Sequence, residues 1–323
     1  MTHRHERSRR LVRIGTRGSR LARWQADWVA DRLRSLHPGV EVILVEIKTL
    51  GDRDRTSPLS AIGGLGLFTK EIQRALLNGV VEIAVHSLKD LPTRGPEGLI
   101  LGAVPTREDP SDALIAPIYQ TLEALPHGAR VGTGSLRRRG QLLYARHDLT
   151  VVDIRGNVET RLAAARDGRL DAVVLAEAGL NRLGLDSHIT QRLGPPHFLP
   201  AVGQGALGIE CRADDAETRA LLAPLDDPAT HRAIRAERRL LFELEGGCTI
   251  PLAAWAREET TQGHDEAPRL WLDAAVFRTD GPGKIAICLA GPIDAPEELG
   301  QCVAERLKQL GAEDFLSPRP SVS

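Results

Sequence analysis

The fold is decided by a short stretch that occurs twice, first as Ile14-Gly15-Thr16-Arg17-Gly18-Ser19 and later as Val131-Gly132-Thr133-Gly134-Ser135. In each copy an apolar strand end leads into Gly-Thr, a short turn and a serine that can cap a helix. The repeat therefore predicts two similar α/β lobes, each presenting a helix N-terminus. Free N–H groups and the helix dipole make such N-termini favourable places for anions.

The segments around the first copy predict strands that alternate with helices. The predicted strands are residues 11–16, 40–47, 81–86 and 99–104. A helix after the first strand is predicted to carry one apolar stripe, made of Leu21, Trp24, Trp28, Leu33 and Leu36. Residues 49–66 are rich in Gly, Asp and Ser and predict a long loop, which a helix over 67–77 follows.

The same alternation restarts at the second copy and then changes character. Around that copy the predicted strands are 129–132, 150–154 and 172–176, and the predicted helices are 135–146 and 157–166. Beyond about residue 225 the predicted elements are a helix over 228–244, strands near 252–256, 270–277 and 285–290, and a helix over 296–310. Residues 311–323 are predicted to be a frayed tail.

These elements predict an α/β protein with two lobes and a small α+β C-terminal domain. We predict a first lobe from residues 1–105 with 206–224, a second lobe from 106–205 and a C-terminal domain from 225–323. The length of 323 residues agrees with two or three domains.

Composition narrows the possible functions. The chain is 42% hydrophobic and 26% charged, which is an ordinary globular balance. Its net charge of -1 gives no reason to expect a nucleic-acid or membrane-surface partner. No stretch has the length and apolarity of a membrane span, and residues 1–10, interpreted as a disordered tail, lack the apolar run of a signal peptide.

The four cysteines indicate neither a metal site nor a disulfide framework. None belongs to a Cys-x-x-Cys pair, so we expect no metal and no dithiol redox pair. We interpret Cys211, Cys288 and Cys302 as structural and expect a reducing cytoplasm. Cys248 differs, because two glycines precede it and Pro251 soon follows. An accessible thiol there can carry a covalent group, although the local sequence alone favours a small buried residue.

Arginines recur at successive strand-to-helix junctions, where α/β folds bind ligands. They are Arg17, Arg137, Arg138, Arg155, Arg161 and Arg182. Each arginine taken alone is also consistent with a solvated basic surface, because most basic residues of this chain are arginines. As a set at corresponding loops they favour a site for a polyanion, whose oxygens the guanidinium fork binds in pairs.

Two further segments carry candidate residues. His86-Ser87-Leu88-Lys89-Asp90-Leu91-Pro92 follows a buried strand, so Lys89 and Asp90 should lie at the strand end, facing a cleft. Asp90 could then have a chemical role, as an acid, a base or the partner of a cation. The alternative is that it forms a surface ion pair with a lysine. Residues 200–211 lack the glycine spacing of a dinucleotide site. They fit either a crossover back to the first lobe, with Gln204 at the cleft, or a plain turn.

Taken together, the segments resemble the porphobilinogen deaminase family, also called hydroxymethylbilane synthase. The matching runs, in family order, are GTRGSRLARWQ at 15–25, GLFTKE at 66–71, AVHSLKDLP at 84–92, VGTGSLRR at 131–138, RGNVETRL at 155–162, AGLNRLG at 178–184, LPAVGQGALGIECR at 199–212 and LEGGC at 244–248. One such run is weak, but all of them in order are highly specific.

The resemblance implies two periplasmic-binding-protein-like lobes with the active cleft between them, and a third domain. It implies a transferase that joins four porphobilinogen molecules, with loss of ammonia, into hydroxymethylbilane in tetrapyrrole biosynthesis. It implies a dipyrromethane cofactor attached to Cys248 by a thioether, and Asp90 as the catalytic aspartate. We expect the enzyme to be monomeric. The residues matched to cofactor or substrate binding are Arg17, Ser19, Phe68, Lys89, Thr133, Ser135, Arg137, Arg138, Arg155, Arg161, Arg182 and Gln204.

Some positions depart from the family pattern, and two other functions fit part of the sequence. Ala61 and Leu65 stand where lysines are common, Gly134 where serine is frequent and Glu159 where a small residue is common. A non-enzymatic two-lobed anion-binding protein would explain the repeat but not the thiol turn. A homologue that has lost its activity would retain most of the motifs.

Overall fold

The computed structural model describes residues 10–49, 69–245, 250–259 and 268–316. Its strands are β1 (Arg10–Thr16), β2 (Val40–Glu46), β3 (Ile83–Ser87), β4 (Leu99–Ala103), β5 (Asp112–Ile115), β6 (Arg130–Gly132), β7 (Thr150–Val152), β8 (Ala172–Ala176), β9 (Gln191–Leu193), β10 (Leu207–Arg212), β11 (Leu252–Glu259), β12 (Arg269–Phe277) and β13 (Lys284–Pro292). Its α-helices are α1 (Arg20–Leu36), α2 (Lys70–Leu77), α3 (Leu136–Ala145), α4 (Val158–Arg166), α5 (Glu177–Arg182), α6 (Ala216–Leu222), α7 (Pro228–Glu243), α8 (Pro296–Gln309) and α9 (Glu313–Leu316).

Two five-stranded sheets share one arrangement. The first has the order β2-β1-β3-β10-β4, and the second has the order β7-β6-β8-β5-β9. In each sheet the first three strands are mutually parallel, and the fourth runs antiparallel to both of its neighbours. The two similar α/β lobes predicted from the repeated stretch are therefore confirmed.

The antiparallel strand of each sheet follows a crossing between the lobes. β5 follows β4, after the chain has left the first sheet, and β10 follows β9, after it has left the second. The glycine-rich segment before β10 is thus the return crossover, one of the two possibilities that its sequence left open. Two crossovers side by side form the connection between the lobes.

The apolar stripe predicted for α1 is correct at Leu33, which is fully buried, and in part at Trp28, which is half-buried and packs against the same core. The buried face is made of Gln25, Ala26, Val29, Ala30 and Leu33. Trp24 and Leu36 are 36% and 46% exposed, respectively. Small side chains let the helix lie close to its sheet, so the larger apolar residues are displaced to its flanks.

The C-terminal domain places α7 and α8 against the three-stranded sheet β11-β12-β13. The prediction of a frayed tail from residue 311 is wrong at its start, because Ala312 is fully buried and α9 follows it. The structural interpretation of three cysteines holds by burial only for Cys211, since Cys288 and Cys302 are exposed. The loop predicted over 49–66 falls almost entirely outside the described residues.

Candidate active site in the cleft

Asp90 lies directly beyond β3, on a single 3-10 turn formed by Leu88–Asp90. Leu88 anchors this turn because its side chain is 1% exposed and its N–H donates to the Ala206 carbonyl at 3.1 Å. Gly203 packs on the same leucine with a φ of +72°, and a Cβ there would lie 2.4 Å from a Leu88 methyl carbon. The return crossover therefore needs glycine at this point in order to press on the Asp90 turn.

Charged groups from both lobes surround the Asp90 turn. Burial lowers the pKa of Lys89 to about 8, and the positive charge of Arg138 adds to the lowering, whereas Asp90 opposes it. Burial also lowers the pKa of Arg161, again with Arg138 adding to the effect and Asp90 opposing it. Asp90 of the first lobe thus acts electrostatically on Arg161 of the second, as expected for groups facing one cleft.

A buried carboxylate that the sequence analysis did not single out organises two of the candidate arginines. Asp112 is fully buried at the start of β5. Its Oδ2 accepts from Arg137 at 2.7 Å, and its Oδ1 accepts from Arg138 Nε at 2.9 Å. Burial alone would raise the pKa of Asp112, but the two guanidinium charges outweigh it and hold that pKa well below its usual range.

Gln204 completes this buried group from the return crossover. Its amide nitrogen donates to Asp112 Oδ1 at 2.8 Å and to the Pro110 carbonyl at 2.7 Å. Because it is 1% exposed, Gln204 lies inside the paired crossovers instead of at an open mouth of the cleft. The signal that could have found Asp112 is a single acidic residue opening the apolar run at 112–116, since a buried carboxylate needs partners.

The serines of the repeated stretch cap their helices, as predicted. Ser19 Oγ accepts from the Ala22 N–H at 3.3 Å, and Ser135 Oγ accepts from the Arg138 N–H at 3.4 Å. Thr133 Oγ1 accepts from the Ser135 N–H at 3.2 Å. Both turns therefore start helices beside the cleft, with hydroxyl groups already used in capping.

Arg161 and Arg182 make hydrogen bonds to backbone oxygens and, within the described part of the chain, no ion pair. Arg161 Nε donates to the Gly156 carbonyl at 2.9 Å, and Arg182 donates to the Gly205 carbonyl at 2.6 Å. Burial lowers the pKa of Arg182 to about 10, with Glu108 opposing the effect. The guanidinium of Arg182 also lies 5.9 Å from the Trp24 ring centroid, across the lobes.

The other two arginines lie at the predicted junctions. Arg17 is half-buried in the loop after β1. Arg155 lies between β7 and α4, with its Nε 3.8 Å from Asp153 Oδ2. All six candidate arginines thus lie on loops or first helical turns that follow strands, or at the end of the short helix after β8.

A second buried carboxylate missed by sequence reasoning ties the C-terminal domain to the crossovers. Glu237 on α7 is fully buried and accepts from Arg107 at 2.6 Å, from the Gly203 N–H at 2.7 Å and from the Ala256 N–H at 2.9 Å. Arg107 and Gly203 belong to different crossovers, and Ala256 belongs to β11. One side chain therefore fixes the third domain against both connections between the lobes.

A cavity of about 680 Å³ lies beside the segment that follows Asp90. Its walls come from α2, the loop over 92–96 and the end of α7, including Lys70, Arg74, Arg94, Phe242 and Glu245. Cys248, three residues beyond Glu245, and Phe68, two residues before Lys70, are outside the described residues. The predictions for these two side chains therefore rest on the sequence.

Two kinds of feature are absent from the described residues, a metal-binding cluster and a membrane-spanning helix. In 10–49, 69–245, 250–259 and 268–316, no group of three or more His, Cys, Asp and Glu side chains could hold a metal ion. Over the same ranges, no helix is long and apolar enough to cross a membrane.

Comparison with known proteins assigns the whole described architecture to one family. A model described as "Porphobilinogen deaminase, dipyromethane cofactor binding domain" matches residues 12–220, and one for the C-terminal domain of the same family matches residues 231–309. The porphobilinogen deaminase of Desulforudis audaxviator is 50% identical over 309 residues, covering 96% of this chain and 98% of the relative.

A second relative and one solved structure complete the comparison. The porphobilinogen deaminase of Syntrophotalea carbinolica is 49% identical over 308 residues, covering 95% of each chain. A Salmonella typhimurium periplasmic binding protein aligns with a TM-score of 0.37 and 15% identity, over 67% of this chain and 91% of that chain. Because the family models match well over half of the sequence and the relatives align along nearly all of it, the chain belongs to the porphobilinogen deaminase family.

Proposed function

We propose that the chain is an active transferase that joins four porphobilinogen molecules, with release of ammonia, into hydroxymethylbilane. The observation that carries the proposal is a single half-buried carboxylate, Asp90, at a strand end near cationic groups from both lobes. An inactive homologue would have no need to retain that arrangement together with Cys248.

Asp90 is proposed to act on positive charge that develops in the substrate. Loss of ammonia leaves porphobilinogen as an electron-poor azafulvene-type cation. A carboxylate fixed at the end of β3 stabilises such charge more strongly in a partly dry cleft than in water. It can also deliver and remove protons at ring nitrogens within hydrogen-bond reach.

The chemistry of the cleft residues fits the dipyrromethane cofactor of the family. Each of its pyrrole rings carries two carboxylates, and the described cleft offers Arg161 and Arg182 without ion-pair partners among the described residues. When bound, the cofactor supplies the primer on which the chain is extended. We propose that Cys248 carries it through a thioether, because Cys248 follows α7 closely in the sequence and Glu245, three residues before it, lines the cavity beside the Asp90 turn.

The remaining candidates are proposed to bind carboxylates or to shape the site that binds them. Lys89, Arg17, Arg155, Arg161 and Arg182 would contact the acetate and propionate groups. Arg137, Arg138 and Gln204 are held by Asp112, so we propose that they mainly set the electrostatic potential of the cleft floor. Ser19, Thr133 and Ser135 present helix N-terminal donors, and Phe68 would pack on a pyrrole ring. We propose that carboxylate binding in this chain does without the lysines that the family often carries at the positions of Ala61 and Leu65.

We also make proposals for the domain bounds, the oligomeric state and the cellular compartment. We propose domain bounds of 1–105 with 206–224, 106–205 and 225–323, supported by the membership of the three sheets. We also propose a monomeric enzyme in a reducing cytoplasm, where Cys211, Cys288 and Cys302 would stay free thiols as they are in the structure.

Intact mass tests the attachment site. Purified protein should carry the added mass of two pyrrole rings and give colour with a pyrrole-detecting aldehyde. Cys248→Ser should abolish both signals, whereas Cys302→Ser, at an exposed thiol on α8, should retain both. A covalent dipyrromethane on the Cys248→Ser protein would overturn the attachment.

Turnover of porphobilinogen tests the catalytic role. Asp90→Asn should keep the bound pyrroles and lose at least about 100-fold in turnover, because a neutral amide cannot offset developing positive charge. Asp186→Asn, at an exposed position of the second lobe, is the matched control and should be unaffected. Wild-type protein that binds porphobilinogen without ever releasing ammonia would favour a non-enzymatic anion-binding protein.

A further inference from the structure

Arg238 is a residue of α7 that reaches out of the C-terminal domain to the turn beyond Asp90. One guanidinium nitrogen donates to the Leu91 carbonyl at 3.0 Å, and another donates to the Pro92 carbonyl at 2.6 Å. Both acceptors belong to the backbone that leaves the 3-10 turn Leu88–Asp90. The planar fork therefore holds two consecutive peptide groups at once.

The backbone at Leu91 and Pro92 can form few local hydrogen bonds that would hold its conformation. Pro92 has no N–H, so it cannot donate a hydrogen bond that would continue the turn. Leu91 donates to the Leu88 carbonyl at 3.0 Å, which closes the turn but does not fix its exit. Donors from another part of the chain therefore hold the backbone that leaves the Asp90 turn.

Arg238 lies in a partly buried environment close to a carboxylate. Burial lowers the pKa of Arg238, with the carboxylate of Glu210 opposing the effect. Its immediate neighbour on α7, Glu237, binds both crossovers. Two adjacent residues of one helix therefore hold the connection between the lobes and the Asp90 turn.

We propose that Arg238 is a positioning residue that fixes Asp90 relative to the end of α7, five residues before Cys248, an assignment that rests on the proposed function. The two groups that must meet at the reacting rings belong to different domains. A guanidinium that joins α7 to the turn carrying Asp90 fixes the position of that turn relative to the end of the helix. A displacement of about 1 Å at a reacting group can cost about 100-fold in rate.

The matched control lies one turn earlier on the same helix. Arg235 is exposed and pairs with Glu297 inside the C-terminal domain, with Nε 2.5 Å from Oε1. Arg235→Gln removes the same type of side chain from α7 without touching the Asp90 turn. It should leave turnover and the free energy of unfolding unchanged.

The test compares Arg238→Gln, Arg238→Lys and Arg235→Gln in the full-length protein. We expect Arg238→Gln to lower kcat by about 10- to 100-fold with KM changed by less than about threefold, because the substrate's carboxylate partners are untouched. Lysine reaches only one carbonyl at a time, so Arg238→Lys should recover part of kcat. Wild-type kcat in Arg238→Gln, or an equal loss in Arg235→Gln, would overturn the assignment.

Hydrogen exchange followed by mass spectrometry gives a readout that does not need activity. In Arg238→Gln, amides over 88–95 should exchange faster, while those of β12 and α8 should keep their protection. Faster exchange throughout the molecule would mean a structural role and would overturn the positioning claim. If Arg238→Gln fails to fold, the same comparison is made with Arg238→Lys. Absence of turnover in the wild-type protein would refute the proposed function, whereas the exchange result would still decide whether Arg238 fixes the turn.

Discussion

Arg137 and Arg138 begin one helix of the second lobe, and Arg161 and Arg182 lie on the next two, yet the two pairs have opposite surroundings. The first pair is 3% and 5% exposed and is bound to Asp112. The second pair makes hydrogen bonds to backbone oxygens and no ion pair among the described residues. Similar arginines at similar junctions thus divide into a pair that shares one buried carboxylate and a pair that has no ion-pair partner among the described residues and can meet an anion.

Removal of the carboxylate that Arg137 and Arg138 share should give the largest effect. Asp112→Asn leaves two buried guanidinium groups without their counter-charge and should lower the free energy of unfolding by about 3–5 kcal/mol. Denaturant unfolding measures this change. Asp167→Asn, at an exposed pair with Arg169, is the control and should cost less than about 0.5 kcal/mol. Equal effects of the two substitutions would remove the distinction between the pairs.

The same carboxylate predicts how stability responds to acid. Because the folded-state pKa of Asp112 is depressed, its contribution is fully present above the ordinary aspartate pKa of about 3.9. That contribution is lost as the pH falls below this value towards the depressed one. Wild-type protein should therefore lose more stability than Asp112→Asn between about pH 4 and pH 2. Parallel curves for the two proteins would contradict the assigned role.

Removal of an arginine that has no ion-pair partner among the described residues should affect ligand binding and not stability. Arg161→Gln should raise KM for porphobilinogen by about 10- to 100-fold, the cost of one lost charge-assisted hydrogen bond. Its free energy of unfolding should be unchanged or higher, because a partly desolvated charge is removed. Steady-state kinetics and denaturant unfolding measure the two effects. A destabilised variant with normal KM would mean that Arg161 has a structural role like that of Arg137 and Arg138.

Lys89 offers a second test of ligand binding by cationic groups of the cleft, because raising the pH can neutralise its side chain. Because its pKa is lowered to about 8, the cationic form should dominate below that pH and fall to roughly a tenth at pH 9. KM should therefore rise as the pH passes 8. Lys89→Arg keeps its charge at these pH values, so its KM should stay flat over the same range. An identical pH profile for the two proteins would show that another group titrates.

The smallest effects are expected at the two helix caps. Ser19→Ala and Ser135→Ala should each cost about 1 kcal/mol of stability, because each removes a side-chain acceptor for a helix N–H. Substitution by glycine should cost only a few tenths of this. If KM changed without any loss of stability, the hydroxyl groups would act on the ligand and not as caps.

Local patterns predicted the positions that depend on a single strand end or turn. Asp90, the six arginines and the capping serines all follow strands, and the rule that ligands bind at such ends located them. Asp112 and Glu237 were not identified from the sequence, because burial of a carboxylate depends on partners that are distant in sequence. For Glu237 those partners are Arg107, Gly203 and Ala256, and within α7 the residue looks like an ordinary surface charge.

The face of α1 shows a second limit of pattern reading. The stripe predicted from large apolar side chains differs from the buried face built on Ala26, Val29, Ala30 and Leu33. Side-chain size favours burial in general, but the separation between helix and sheet decides which residues fit. Trp24 was predicted to lie on the apolar stripe, but it is 36% exposed and its ring lies near Arg182 of the other lobe.

The position of β10 has a consequence for how the chain acquires its structure during synthesis. Every strand of the second sheet lies between residues 112 and 193, whereas the first sheet needs β10, at 207–212, between β3 and β4. On the ribosome the second lobe can therefore complete its sheet while the first still lacks an inner strand. The part of the molecule that is synthesised first, and that carries Asp90, is completed only after the arginine-bearing lobe has emerged.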